Sequence, residues 1–131
     1  MKILVDTSFW LRVLRRKDPD AQAIREFNQI LENDEVFVTG LIVQEILSHI
    51  THDDLFRKIE AVITGIGRIE PEVDDHVMAA RMSVDLRKKG LTCGTIDLLP
   101  AAMAIRRNAV LLTLEDDFRN IAKHTKLKLY R

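Results

Sequence analysis

Short apolar runs alternate along the chain with longer stretches in which apolar residues recur every three or four positions. Ile3-Leu4-Val5, Val36-Phe37-Val38 and Val110-Leu111-Leu112 have the length and side-chain character of buried strands. A weaker strand is expected around Ile69 and a final one over Leu127–Tyr130. Between them, helical periodicity runs from Ser8 to about Arg16, Asp20 to about Glu32, Leu41 to Ile50 and Leu55 to about Ile66. It resumes from about Val73 to Lys88, where Gly90 ends the helix, then over Ile96–Arg107 and from Asp116 to about Lys123. Such alternation predicts an α/β fold with helices covering a mainly parallel sheet. In such a sheet ligands gather at the carboxyl ends of the strands, so the polar residues that follow each apolar run are the first candidates for chemistry.

Composition narrows the picture without changing it. With 131 residues the chain is expected to form a single domain, residues 1–131, large enough for an apolar core. Lys plus Arg and Asp plus Glu both number 20, so no global basic field advertises nucleic acid, and any such partner must be held by local patches. The lone Cys93 has no second thiol for an internal disulfide and no neighbour at structural-zinc spacing, which fits a reducing, cytoplasmic setting. No window approaches the ~20 apolar residues of a membrane span, so no membrane association is expected.

The acids fall where the strands end. Asp6 directly follows Val5, and taken alone it reads more readily as a helix cap than as a site residue. Glu45 falls on a helix inside an arc of Leu41, Ile42, Val43, Ile46, Leu47 and Ile50, where a carboxylate is costly to desolvate unless paired, protonated or bound to a cation. Asp97 opens a helix whose other charges, Arg106 and Arg107, come only at the far end. A capping role would place Pro100 in the first turn, where proline costs no helical hydrogen bond. Glu115-Asp116-Asp117 follows the strand ending at Thr113 and begins a helix, where acids are favoured by the macrodipole whatever their function. Successive helical residues point about 100° apart, so one or two of the three can face a common site.

Singly each acid has a dull explanation; together they are four acidic positions near one rim of one sheet, with no hydrolytic Ser or His arrangement competing. Oxygen ligands select hard cations such as Mg²⁺, with Mn²⁺ as substitute, and Mg²⁺ keeps several waters and meets substrate phosphates. That chemistry suits phosphodiester hydrolysis. Two other enzyme classes compete. Glu45, His49 and His52 would share a face for zinc if one helix ran through all three, but Thr51-His52-Asp53 reads as a helix boundary. Asp6 as a phosphorylated residue is the other, and the absence of an aspartate two positions later counts against the phosphatase version.

Four segments, Leu4-Val5-Asp6-Thr7-Ser8, Gln44-Glu45-Ile46-Leu47, Ile96-Asp97-Leu98-Leu99-Pro100-Ala101-Ala102 and Leu112-Thr113-Leu114-Glu115-Asp116-Asp117-Phe118, resemble in order and spacing the PIN-domain nucleases. The resemblance is strongest to the VapC-type toxins of toxin–antitoxin pairs. It implies a Rossmann-like, PIN-like three-layer α/β/α fold, Mg²⁺-dependent endoribonuclease activity, an RNA substrate, a cognate antitoxin and a homodimer. It further implies Asp6 and Asp97 as principal metal ligands, Glu45 completing the pocket, and a fourth acid among Glu115, Asp116 and Asp117. Glu115 stands where the family commonly has aspartate, and its extra methylene leaves the fourth metal contact open between Glu115, directly or through water, and Asp116 or Asp117, with Asp117 also a catalytic candidate. Thr7, Ser8 and a stripe of Arg12, Arg15 and Arg16 on the first helix are candidate RNA contacts. Lys123, Lys126, Lys128 and Arg131 form a second basic group. An RNA-processing nuclease outside any toxin pair, and a silent module that binds RNA or protein without cutting, are the alternatives.

Overall fold

A computed structural model describes residues 1–130, except for the side chains of Thr95 and Ile96. The elements run β1 (Lys2–Val5), α1 (Thr7–Leu14), α2 (Ala21–Asn33), β2 (Glu35–Val38), α3 (Gly40–Ser48), α4 (Asp53–Thr64), β3 (Gly67–Arg68), α5 (Val73–Lys88), α6 (Thr95–Arg106), β4 (Val110–Leu112) and α7 (Asp117–His124). The strands form one parallel sheet in the order β3-β2-β1-β4.

Ile3, Leu4 and Val5 of the central strand are all fully buried. Successive strand residues point to opposite faces, so helices cover the sheet on both sides and the architecture is a three-layer α/β/α sandwich. In one part of the core Trp10 meets Phe27 edge to face at 4.7 Å, which fastens α1 to α2.

The expected final strand is reduced to a single parallel bridge, Leu111 with Leu129, closed by Leu111 N–H to the Lys128 carbonyl at 2.9 Å and Tyr130 N–H to the Leu111 carbonyl at 2.9 Å. The first helix ends at Leu14 rather than Arg16, because Arg15 takes an extended backbone conformation ahead of the turn that leads to Pro19. The weak strand at Ile69 lies at Gly67–Arg68, with Ile69 continuing the pairing through its N–H to the Val38 carbonyl at 2.9 Å. Gly67 faces Phe37 so closely that an added Cβ would sit 3.1 Å from its ring.

Asp97 is not the cap of its helix. α6 begins at Thr95 with Gly94 as its cap, Asp97 lies within the first turn, and Pro100 falls inside the helix, where it removes a backbone hydrogen bond.

Candidate active site

All four strands run in the same direction, so their carboxyl ends open on the same side. The residues that follow them line a single cleft of ≈ 440 Å³. β1 delivers Asp6, Thr7 and Ser8, β2 delivers Thr39, the segment after β3 delivers Glu70 and Pro71, and the turn after β4 delivers Glu115. Glu45 and His49 reach the cleft from α3 and its end, and Asp97 and Pro100 from α6.

The register explains the closest packing. Val5 pairs with Leu112, and Asp6 N–H continues the ladder to the Leu112 carbonyl at 2.8 Å, which sets Asp6 beside Thr113. The Asp6 carboxylate is buried and makes no capping bond to α1. Instead its Oδ2 accepts from Thr113 Oγ1 at 2.8 Å and from Ser8 Oγ at 2.9 Å. Each hydroxyl is in turn fixed by the backbone of the β4–α7 turn: Leu114 N–H donates to Ser8 Oγ at 3.0 Å and Glu115 N–H to Thr113 Oγ1 at 3.1 Å. One carboxylate oxygen of Asp6 is thus held by the fold, and the same hydroxyls fix the turn that carries Glu115.

The electrostatics are those of uncompensated negative charge. Burial pushes the Asp97 carboxyl above its ordinary value, and the Asp6 and Asp117 carboxylates push it further. Burial likewise raises Glu115, followed by the charges of Asp6, Asp97, Asp117 and Glu45. The five acids therefore share one field, and among the described residues neither lysine nor arginine lines the cleft. Gly94 lies against this group: an added Cβ would sit 3.3 Å from Asp97 Oδ2. Among the described residues no three His, Cys, Asp or Glu side chains are gathered tightly enough to hold an ion as they stand. An oxygen-only set of separated carboxylates still fits Mg²⁺, which binds through one or two carboxylates and completes its shell with water and phosphate.

The structure sorts the other candidates. Asp117 faces the far side of Asp97, with Cys93, Gly94 and Asn120, and raises the pKa of both Asp97 and Glu115. Asp116 lies outside the cleft, its side chain 88% exposed and 3.7 Å from Arg119, because it precedes α7 while the turn directs Glu115 inward. Glu70 lines the cleft but its charge is answered by Arg68 at 2.8 Å.

The expected arginine stripe is divided. Arg12 turns to Asp20 at 3.4 Å, whereas Arg15 and Arg16, beyond the end of α1, line a neighbouring groove of ≈ 340 Å³ with Ile46, His49, His52, Leu55 and Ile59. That groove meets the acidic cleft at Leu11 and His49. The zinc arrangement of Glu45, His49 and His52 is absent: α3 ends at Ser48, His52 caps α4, and the His49 ring bonds the Glu45 backbone carbonyl through Nδ1 at 2.7 Å. In the second basic group Lys123, Lys126 and Lys128 are exposed, and Arg131 lies outside the described residues.

Thr39 and Pro71 line the cleft, and Thr113 braces Asp6 from beside it; the sequence alone singled out none of the three. Thr113 and Thr39 carry the same signal that found Asp6, a polar residue directly after an apolar strand.

The profile of the PIN domain family matches residues 3–124. This chain belongs to the PIN domain family. Within it the likeness is to the VapC type: the VapC ribonuclease Mb1587 of Mycobacterium bovis is 31% identical over 132 residues, spanning 96% of each chain. Ribonuclease VapC11 of Mycobacterium tuberculosis matches to the same extent. Among solved structures, VapBC2 from Rickettsia felis, bound to a fragment of promoter DNA, superposes with a TM-score of 0.79 at 21% identity, covering 98% of this chain and 97% of that one. Mycobacterium tuberculosis VapC20, a toxin that cleaves the sarcin–ricin loop, gives 0.66 at 16% identity, covering 95% and 98%. In this PIN domain the acids of the cleft are therefore candidates for the chemistry of a nuclease family.

Proposed function

We propose that this PIN domain is an Mg²⁺-dependent endoribonuclease, acting in the cytoplasm as the toxin of a toxin–antitoxin pair. The observation that carries the reading is the convergence of Asp6, Glu45, Asp97 and Glu115 on one cleft that no lysine or arginine lines among the described residues. The 31% identity to VapC ribonucleases over nearly the whole chain supports the substrate class. The VapBC complexes among similar folds suggest an antitoxin as the protein partner.

Asp6 and Asp97 would hold the cation, with Glu45 and Glu115 meeting it directly or through water. When bound, Mg²⁺ supplies charge neutralisation at the scissile phosphate and acidifies a coordinated water. The chain's own residues set the geometry. Ser8 and Thr113 occupy Asp6 Oδ2, which leaves Oδ1 as the oxygen for the cation. Asp117 acts from behind Asp97 by adding negative charge rather than by touching RNA. Ser8 is thereby assigned to shaping the site, while Thr7 lines the cleft beside it. Arg15 and Arg16, in the groove that opens from the cleft, are the arginines placed to meet phosphates flanking the cut. Asp116 is left out of the metal set because its side chain points to solvent.

The test is cleavage of an end-labelled cellular RNA pool with Mg²⁺, with Mn²⁺ and with chelator, beside Asp97→Asn. Cutting that needs the metal and disappears in the variant is expected. No cutting with either metal would leave a binding module and overturn the enzyme assignment.

A further inference from the structure

The cleft has two ends of different chemistry. Along α6 its wall carries Asp97, Pro100 and Met103, at successive spacings of three residues. At 1.5 Å of rise per residue these six steps span about 9 Å, so the wall runs from the acid group to an apolar end. Pro71 and Leu41 also line the cleft, and Leu41 stays 42% exposed although it is a large apolar side chain. A volume of ≈ 440 Å³ lies in the range of small-molecule pockets, more than a hydrated cation and one phosphate need.

Glu70 stands at the apolar end, and its neighbours fix it there. Arg107 donates through Nη1 to the Met103 carbonyl at 3.1 Å and through Nη2 to the Glu70 carbonyl at 3.4 Å, while the buried Asp75 holds the same guanidinium. The Glu70 backbone is thereby tied to the Met103 part of the wall. Its Oε2 lies 3.5 Å from where a Cβ on Gly40 would stand, at the start of α3 and next to Leu41. Arg68 lies 2.8 Å from Oε1. Glu70 stands apart from the acid group, since the charges that raise Asp97 are those of Asp6 and Asp117. Backbone and side chain are both positioned, yet the side chain is 63% exposed and faces a cleft. An exposed ion pair contributes little to stability, so the arrangement is better matched to a ligand than to the fold.

We propose that this end of the cleft binds an unpaired guanine base of the RNA, its face against Leu41, Pro71 and Pro100 and its Watson–Crick edge on the Glu70 carboxylate. A carboxylate presents two acceptor oxygens side by side. Guanine alone among the four RNA bases answers with two neighbouring donors, N1–H and N2–H. Adenine and cytosine set their amino group beside an acceptor ring nitrogen, and uracil flanks its single N–H with two carbonyls, so each brings an acceptor against Glu70 and is repelled. Arg68, beside Oε1, supplies a cation for the guanine O6 that adjoins N1–H. Bases of single-stranded RNA are splayed from their stack and read on this edge, and apolar side chains cover their faces by removing area from water. That the adjoining phosphate then lies at the acid group, and is the one cut, rests on the nuclease reading; the recognition of the base does not.

The first test therefore uses neither metal nor phosphate. Guanosine and adenosine are titrated separately, at equal millimolar concentration, into the ¹⁵N-labelled full chain. Guanosine should shift the amide resonances of Gly40, Leu41 and Glu70, adenosine should not, and Glu70→Gln should weaken guanosine binding by about tenfold or more, the scale for losing a bidentate base contact. The side chain is exposed, so the variant's circular dichroism and melting should match the parent. No shift with guanosine, equal shifts with both nucleosides, or undiminished binding by Glu70→Gln overturns the proposal. The second test is cleavage in Mg²⁺ of an end-labelled RNA in which guanosine is replaced by inosine, which lacks the N2 amino group. The parent should cut inosine sites about tenfold less than guanosine sites, and Glu70→Gln should cut the two alike. Cutting by the parent that is indifferent to the base, or the same preference in Glu70→Gln, overturns the proposal and leaves the nuclease reading standing. Absence of cutting with guanosine binding intact overturns the nuclease reading and leaves the base site standing.

Discussion

Two groups of carboxylates in this fold stand in opposite electrostatic condition. At the strand ends, Asp97 and Glu115 are pushed above their ordinary pKa values by burial and by neighbouring carboxylates, Asp6 and Asp117 among them, with no lysine or arginine in the lining among the described residues. Between α5 and α6, burial also pushes Asp75 upward, but Arg107, the Glu72 backbone N–H and Arg106 outweigh it and hold the carboxyl far below the usual carboxylate range. Asp75 is fully buried and accepts from Arg106 Nη1 at 2.8 Å, Arg107 Nη1 at 2.9 Å, Arg107 Nη2 at 3.0 Å and Glu72 N–H at 2.7 Å. The same functional group serves structure where its charge is answered from within the chain. Where the answer must come from outside, it marks a site.

The comparison breaks most visibly at Asp97. Asp97→Asn should lower cleavage by about 10³-fold, the scale for removing a group that stabilises charge in the transition state, while leaving the protein folded. Activity within about tenfold of the parent would remove Asp97 from the chemistry.

Asp75→Ala should do the reverse, costing about 3 kcal/mol of unfolding free energy in urea because two partly buried guanidinium groups lose their partner. Its pH dependence has a definite sign. The folded-state pKa of Asp75 is depressed, so its stabilisation is complete above the ordinary value of 3.8 and is lost as pH falls below it. Equal stability of parent and variant at pH 7 would contradict the clamp.

Thr113→Val sharpens the contrast within the active cluster. It frees one bond to Asp6 Oδ2 without removing charge, so cleavage should fall about tenfold, the lower end for loss of a ligand-orienting hydrogen bond. Thr113→Ser, which keeps the hydroxyl, should restore it. Equal losses in both variants would point to packing rather than to orientation.

The smallest effect is on the metal-free protein. Because folding raises the pKa of Asp97, the folded state holds that proton more tightly than the unfolded chain, and stability falls as pH rises above 3.8. Asp97→Asn should therefore raise the melting temperature at pH 7 by about 2–4 °C, and the gain should fade toward pH 4 and below. Mg²⁺ should raise the parent's melting temperature and leave the variant's nearly unchanged. Identical melting curves in all four conditions would mean that the acids do not interact.

What the chain order determined by itself were the elements and the ends at which chemistry would lie. Apolar runs such as Ile3–Val5 can be satisfied only inside a covered sheet, and in a parallel sheet their following residues must share one edge, which placed Asp6 and the Glu115-Asp116-Asp117 run at a common rim without saying which of the three faces the site. Glu45 was legible because a carboxylate inside an apolar arc needs a reason. Tertiary structure decided what depends on partners distant in sequence. Thr113 holds Asp6 across 107 residues, and Asp75 meets Arg106 and Arg107 across 31 and 32. It also turned Glu115 rather than Asp116 into the cleft, since the turn between β4 and α7 is fixed by the distant Ser8 hydroxyl and by a Thr113 hydroxyl that Asp6 shares. Local periodicity reports which side of an element is buried. The direction of a side chain at the end of that element is set by whatever the fold brings against it.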